Sequence, residues 1–485
     1  MTRRVYVTAA LALALATLGA SPADAHGLAG RADLPIPDWL FSWGATAVLV
    51  ASFAALAVLW PKPKLQNHSW RPLPGALSGV LTSRAVDVLC GVIGVALLAL
   101  VVYAGYAGSD IPTDNFAPNF VFIAFWLGLV PLSVLFGDVF RAFNPWRAIG
   151  RAVVRAARTA ARGPVPAPLE YPSWLGRWPA VIGIFAFATM ELVISDGSQP
   201  ENVAIGTLVY SALTFVAMAL YGVDAWIDRG EAFSVYFGLF ARISPFERRG
   251  REIGLRKPLS ALAALEPLPG TVPFVAVMIG SVTFDGAAEA PIWTNIAPDI
   301  ANFFENLGVA PEHALEAAFF VGLLGAVLII YGFYRLGVAG AKSVGGGFSS
   351  KRLAGSFIHT LVPIALAYVT AHYLTLLLFQ GQGLLVLDPL PRLGYLASDP
   401  LGDGSNLFGS AGKAINFGVI SSNETWYCQV GFVVAGHVAA LTLAHDRALA
   451  IYDRARLAVR SQYWMLAVMI GFTSLALWLL SQANS

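Results

Sequence analysis

Ten stretches of mostly apolar residues follow one another along the 485-residue chain and constrain its fold more than any other feature. A helix needs about 20 such residues to cross the hydrocarbon core of a bilayer. Only 12% of the residues are charged, whereas soluble chains carry about 25%. The sequence therefore predicts an all-α, polytopic helical membrane protein. The predicted spans are residues 39–60, 85–107, 118–137, 178–195, 202–222, 268–284, 315–336, 353–379, 424–444 and 462–481.

The first 25 residues have the three parts of a secretory signal peptide. Arg3 and Arg4 precede an apolar run, Val5–Leu18, and the sequence ADA at 23–25 matches a cleavage site. We therefore expect residues 1–25 to be removed. The remaining residues, 26–485, are expected to form one transmembrane domain that begins with His26 outside the cytoplasm.

The positions of the basic residues predict the orientation. Of 31 lysines and arginines, 26 lie at one side of the predicted spans, in loops 61–84, 138–177, 223–267, 337–352 and 445–461 with the adjoining Arg335. Loops on the other side, which include 285–314 and 381–423, carry three. Because short cytoplasmic loops carry the excess of basic residues, the sequence predicts ten spans in a bacterial cell (inner) membrane, with both ends outside.

Two cytoplasmic loops have the pattern of structured surface segments. In loop 138–177, arginines recur at helical spacing among Ala and Val, which is typical of an interfacial helix attracted to anionic lipid. In loop 223–267, the apolar run Ala232–Ala241 is also compatible with a position in the interface. The flanking spans favour lipid rather than nucleic acid as the partner of these basic loops.

Histidines within the predicted spans are the main candidate functional residues. His359 and His372 lie 13 residues apart in the uncharged stretch 357–382, about 20 Å along a helix axis, so they cannot share one metal ion. The ninth span runs in the opposite direction and contains His437 and His445. If the two spans pack together, His359 lies between these two in depth. A metal site for Zn or Cu is one hypothesis, and separate structural hydrogen bonds to Ser, Thr or backbone carbonyls are the alternative.

Other polar residues receive weaker assignments. His372 can pair with groups on the outer side, where the mature N-terminus, His26, is itself a copper-chelating candidate. Glu191 lies near the outer end of a span, where it either reaches water or faces a polar cavity. Asp285 is expected where its span meets the outer aqueous phase. His445, at the membrane edge, is the histidine most readily solvated.

Several known motifs are absent from the sequence. The chain has no G-x-x-x-x-G-K-[ST], H-E-x-x-H or G-x-S-x-G sequence, which argues against ATP-driven work and against two common hydrolase classes. Cys90 and Cys428 form no C-x-x-C pattern and predict no disulfide framework.

A string of segments resembles bacterial integral membrane proteins known as fenitrothion hydrolases. The segments are AHGLAGRADLPIPDWLFSWGATAVLVASFAALAVLWP, LFGDVFRAFNPWRAIGR, SVTFDG, HTLVPIALAYVTAHYLTLLLFQGQ, LASDPLGDGSNLFG and GHVAALTLAHDRALAIY. The resemblance covers most of the mature chain. It implies a membrane hydrolase that cleaves an organophosphate phosphotriester, but it brings no catalytic residue.

Phosphotriester hydrolysis needs an activated water and a sink for charge on the phosphoryl oxygen, usually metal ions held by His and Asp. His359, His372 and His437 are the candidates to hold such a metal. The alternative functions are a copper or other metal carrier, a small-solute carrier, and a non-catalytic membrane subunit bound to a partner protein. The same histidines support the carrier, and Pro- or Gly-broken spans are common in transporters.

Overall fold

The computed structural model describes residues 38–66, 69–161, 167–383 and 415–482. This part of the chain is mostly helical with one small sheet, which confirms the prediction of a helical protein rich in apolar helices. Seven of its helices are long and apolar enough to cross a membrane: Gly75–Ala107, Phe116–Phe136, Pro200–Tyr221, Thr271–Ala288, Pro311–Ser343, Ser350–His372 and Ser422–Ile451. The expected signal peptide, His26 and most of loop 381–423 lie outside the described residues.

The elements follow one another along the chain with short connections. The first half contains α1 (Asp38–Leu59), β1 (Trp70–Pro72), α2 (Gly75–Leu81), α3 (Arg84–Ala107), a 3₁₀ turn (Pro112–Asp114), α4 (Phe116–Pro118), a π-helix (Asn119–Leu127), α5 (Leu129–Phe136), α6 (Val139–Phe143), α7 (Pro145–Ala160), α8 (Trp178–Leu192), α9 (Pro200–Tyr221), α10 (Val223–Arg229) and α11 (Ala232–Ala241). The second half contains β2 (Phe246–Arg249), β3 (Glu252–Arg256), α12 (Thr271–Ala288), α13 (Pro291–Asn306), α14 (Pro311–Ser343), α15 (Ser350–Phe357), a 3₁₀ turn (Ile358–Leu361), α16 (Val362–His372), α17 (Leu374–Phe379), a 3₁₀ turn (Gln380–Gly383), α18 (Ser422–Ile451), α19 (Ala455–Ser461) and α20 (Tyr463–Gln482).

Each of the ten apolar segments in the sequence overlaps a helix. The sixth, broken by Pro and Gly in the sequence, is the continuous helix α12. Two segments form shorter apolar helices, Trp43–Leu59 and Trp178–Leu192, and the last coincides with α20.

The span that carries His359 and His372 is broken, as Pro363 predicts. A 3₁₀ turn at Ile358–Leu361 separates α15 from α16, and Pro363 lies in the first turn of α16. Proline has no backbone N–H to continue an α-helix through this point.

Helix α11 corrects the prediction for the run Ala232–Ala241. The structure buries this short helix in the bundle instead of leaving it in an interface. The Phe233 and Phe237 rings lie 4.8 Å and 5.5 Å from the ring of Phe125, and Phe237 lies 5.0 Å from Phe140. A helix that is apolar on all sides is stable only when other elements cover all of its faces.

The basic segment after residue 138 is helical, as its arginine spacing predicts. Several of its arginines, however, contact acidic residues of the chain itself. Arg147 is buried 3.2 Å from Asp87, and Arg151 lies 2.7 Å from Asp224. Arg155 on α7 is exposed and remains free to face lipid headgroups.

The carboxylate of Asp446 binds the chain after α1 to α18. It is fully buried and accepts hydrogen bonds from Trp60 Nε1 at 2.9 Å, the Lys64 N–H at 2.5 Å and Gln66 Nε2 at 2.7 Å. The N–H of Leu65 donates to the same group at 3.1 Å. These four donors replace the hydrogen bonds with water that the carboxylate loses on burial.

We predict that Asp446→Ala lowers the free energy of unfolding by about 3 kcal/mol, because several buried donors lose their acceptor. Thermal unfolding of the detergent-solubilised protein measures this. Asp453→Ala, at an exposed position a few residues further on, is the control. Equal melting temperatures for the two variants would contradict this structural role.

Gly436 allows α16 and α18 to approach closely. A Cβ atom at this position would lie 2.3 Å from the Cβ of Ala367 and 2.7 Å from the carbonyl oxygen of Pro363. A Cβ at Gly431, on the same helix, would meet no atom within 4 Å. The absence of a side chain at 436 therefore determines how closely the two helices pack.

We predict that Gly436→Ala lowers the free energy of unfolding by about 1–3 kcal/mol through overpacking. Gly431→Ala should be neutral or slightly stabilising, since alanine is the better helix former. Thermal unfolding of both variants tests this prediction. Equal destabilisation would show that the close approach of α16 and α18 is not the cause of the lost stability.

A small antiparallel sheet joins two loops on the predicted cytoplasmic side. Its strand order is β1-β3-β2, with Trp70 opposite Arg256 and Phe246 opposite Leu255. Burial opposes ionisation of the Glu247 carboxyl, but hydrogen bonds and charge from Arg249 and Arg256, each at 3.0 Å, outweigh it. The pKa of Glu247 is therefore lowered.

Because the folded-state pKa of Glu247 lies below the unfolded value of about 4.3, its contribution is complete above that pH and is lost as the pH falls through the folded-state pKa. We predict that Glu247→Gln is less stable than the unaltered protein at pH 7, by at most about 1 kcal/mol. The difference should vanish in acid. Melting curves from neutral to acidic pH test this, with Glu252→Gln as an exposed control in the same sheet.

Candidate functional site

A buried histidine–aspartate pair links the two helices α12 and α16. The Nε2 atom of His372 lies 2.7 Å from Oδ2 of Asp285, and the residues are 6% and 8% exposed. The sequence places Asp285 where its span meets the outer aqueous phase, but the side chain is buried in the protein and not exposed to water. Helix α12 continues through Ala288, so this aspartate belongs to a buried helical turn.

The local backbone explains how the imidazole reaches its partner. Helix α16 ends at His372, and the next residue, Tyr373, has non-helical φ and ψ of −94° and 17° before α17 begins. The His372 and Tyr373 rings are nearly perpendicular, with centroids 4.6 Å apart. A Cβ at Gly286 would lie 3.5 Å from the His372 ring, in ordinary van der Waals contact. The ring therefore packs directly against α12.

A second carboxylate and two phenols lie close to this pair. Glu191 on α8 interacts electrostatically with Asp285, and Tyr373 interacts with both carboxylates. Tyr236 on α11 interacts with Glu191. Among the described residues, no group donates a hydrogen bond to the buried Oε2 atom of Glu191. The Glu191 side chain is partly exposed, so both alternatives for it, water or a polar cavity, stay predictions.

A small cavity lies one helical turn from both carboxylates. Its volume is about 10 Å³, which holds about one water. Ser281, Tyr236 and Trp126 contribute its polar atoms. Trp126 belongs to the π-helix, and such segments are frequent at functional sites. Its ring lies 4.9 Å from that of Tyr373.

The other intramembrane histidines are each bound to a backbone carbonyl. His437 Nδ1 lies 2.7 Å from the carbonyl oxygen of Val433, and His445 Nε2 lies 3.1 Å from that of Trp60. His359 is bonded to the carbonyl of Ser356. Since a carbonyl oxygen only accepts, each of these ring nitrogens donates. His445 is 1% exposed, so the expectation that it is solvated is wrong.

The predicted metal site finds no ligand set in the described part of the chain. No group of three or more His, Cys, Asp or Glu side chains there is arranged to hold a metal ion. The predicted antiparallel packing of the two spans is present at Gly436, but it does not place His359, His437 and His445 around a common point. His372 pairs with Asp285, which the predicted topology also places toward the outer side.

Sequence reasoning missed several residues near the pair. Tyr236 was assigned to an interface, and Ser281 and Tyr373 were not considered. Only the burial of Asp285 was predictable from the sequence, because the apolar run before it continues into Gly286 and two alanines. Nothing in the linear sequence shows that Tyr236 and Trp126 line one cavity.

Comparison with protein-family models finds no match to this chain. Searches among curated proteins and solved structures find none either. The function therefore has to be argued from the site and from the sequence.

Proposed function

We propose that this chain is a multi-pass protein of the bacterial inner membrane whose His372–Asp285 pair carries protons, as part of a proton-coupled carrier for a small solute. The observation that carries the proposal is the 2.7 Å contact of an imidazole with a carboxylate inside a bundle of apolar helices. Ionisable side chains at such positions are costly, and in carriers they form proton relays.

The membrane topology belongs to the same proposal. Ten helices cross the bilayer after a signal peptide at residues 1–25 is removed, and both ends lie outside. The overlap of all ten apolar segments with helices and the one-sided distribution of arginine and lysine support this arrangement. Exposed cations such as Arg155 face anionic lipid at the cytoplasmic surface.

In this topology, the three ionisable groups of the site share one depth. Asp285 is in the last turn of α12, His372 is the last residue of α16, and Glu191 is next to the last residue of α8. All three helices run from inside to outside, so the site lies near the outer surface. Protons reach it from that side.

The chemistry follows from the geometry of the pair. Asp285 accepts from Nε2 of His372, which fixes the tautomer and leaves Nδ1 as the nitrogen that takes up a proton. The resulting imidazolium is balanced by Asp285, and Glu191 offers a second acceptor. The cavity beside Tyr236, one helical turn from both carboxylates, has room for about one water. The broken helix at Tyr373 supplies a point where the backbone moves, as discontinuous helices do in transporters.

The hydrolase implied by the sequence resemblance is the second candidate, favoured by the same pair. A histidine held by an aspartate is a general base for water, and nearby tyrosyl hydroxyls are donors for a phosphoryl oxygen. The cavity beside the pair has room for about one water, so an organophosphate requires a more open form. No metal-dependent step is included, because the described residues do not form a ligand set.

Proton flux into proteoliposomes tests the first candidate. We predict that a pH-sensitive dye inside the vesicles reports flux with the unaltered protein, and that Asp285→Asn and His372→Gln each reduce it by at least about tenfold. Asp299→Asn and His313→Gln, two exposed outer positions, are matched controls that should retain it. Flux that persists in both site variants would contradict the proposal.

The same proteoliposomes separate the two candidates. A nitrophenyl phosphotriester is added and nitrophenol release is followed by absorbance. Release that depends on His372, without proton flux in the unaltered protein, would establish the hydrolase and reject the carrier.

A further inference from the structure

A larger apolar cavity lies apart from the His372–Asp285 site. Its volume is about 70 Å³, and it lies between α12, α14, the broken span, α18 and α20. Its wall includes Ile330, Phe357, Ile364, Met469 and Phe472. Tyr334 adds a hydroxyl, but that group is already bound to the carbonyl of Ala354. The cavity therefore offers hydrocarbon contact and little hydrogen bonding.

The cavity opens toward the region that lipid occupies in the proposed topology. Its α14 residues lie in the half of that helix that ends at Ser343, and its α20 residues lie near the start of that helix at Tyr463. Beside it, Leu336 and Trp464 are 52% and 54% exposed. Both helix ends belong to the predicted cytoplasmic side, so the cavity is at the level of the inner leaflet.

The chain segments next to the cytoplasmic end of this cavity are rich in basic residues. The segments 335–352 and 453–461 contain seven basic residues and one acidic residue, Asp453. Arg335 follows the wall residue Tyr334 directly, and Lys351 and Arg352 lie on α15, which leads into the wall at Phe357. All three are exposed. In the described part of the chain, none of the three forms an ion pair.

We propose that this cavity binds an acyl chain of an anionic phospholipid from the inner leaflet. The chain lies among Ile330, Met469 and Phe472, and the headgroup phosphate faces Arg335 and Arg352. Burial of methylene groups favours the chain, and the nearby cations favour a negative headgroup over a zwitterionic one. The inference depends on the proposed topology but not on proton transfer.

Photocrosslinking of the full chain in lipid nanodiscs tests this proposal. Phosphatidylglycerol with a diazirine near the end of one acyl chain is compared with phosphatidylcholine that carries the same chain, and mass spectrometry locates the adducts. We predict that phosphatidylglycerol labels the wall residues preferentially. The double variant Arg335→Gln/Arg352→Gln should weaken its labelling by about fivefold per cation removed, whereas Arg155→Gln on α7 should leave it unchanged.

A second pair of variants tests the cavity itself. Met469→Trp should fill part of it and reduce the adducts there, while Leu328→Trp, on the exposed face of α14, should not. Val468→Trp, also in the wall, replaces Met469→Trp if the latter does not purify as a single species. Equal labelling by the two lipids, or adducts unaffected by the wall variants, would overturn the proposal. The crosslinking experiment does not measure proton flux, so failure of the proton-carrier proposal would leave its result unchanged.

Discussion

The hydrogen bond between His372 and Asp285 holds together the two most enclosed spans of the bundle. About 72% of the apolar window of α12 and of the span that contains α16 is buried inside the protein. A carboxylate enclosed to that degree is tolerated only with a partner, since an isolated charge in hydrocarbon costs several kcal/mol. The pairing therefore fixes the relative rotation of α12 and α16, and the position of Tyr373 follows from it.

Two fully buried carboxylates in the described part of the chain accept hydrogen bonds from several donors each, unlike Glu191, which is partly buried. Glu231, at the N-terminus of α11, accepts from Asn144 Nδ2 at 3.0 Å and from the N–H groups of Phe233 and Ser234 at 2.9 Å. Asp446 is equally well satisfied by the chain after α1. Such carboxylates are structural, because their oxygens already accept hydrogen bonds and leave no position at which a proton can bind. Glu191 differs, since its Oε2 atom has no donor in the described structure.

Much of the fold was predictable because the hydrophobic requirement of a span is a local property. Whether an apolar run can form a spanning helix depends only on its own length and composition. Each of the ten runs overlaps a helix. The exception, α11, shows the limit of this reasoning. A ten-residue apolar run is too short to span, so its environment depends on neighbours such as Phe125 that are distant in sequence.

The site was less predictable because it depends on how helices are rotated about their axes. The order of the spans predicts that those containing His359 and His437 run in opposite directions, and the contact at Gly436 shows that they pack together. The order of the spans did not determine which way each ring turns, and both rings bind carbonyls of their own helical turns. Glu191 was recognised as a candidate, but its relation to Asp285 required contacts between α8 and α12. Linear spacing contains no information about such contacts.

The two cavities differ in size, and this difference bears on the choice between a proton-coupled carrier and a hydrolase. The smaller cavity has room for about one water and does not admit an ester. The apolar cavity is larger, but no ionisable group lies in its wall apart from the bound hydroxyl of Tyr334. A phosphotriester hydrolase requires ionisable groups and room for the ester in the same cavity. The proposed carrier also requires a wider form of the bundle to admit a solute, and the interruption of the helix at Tyr373 is a point where the backbone already departs from helical geometry.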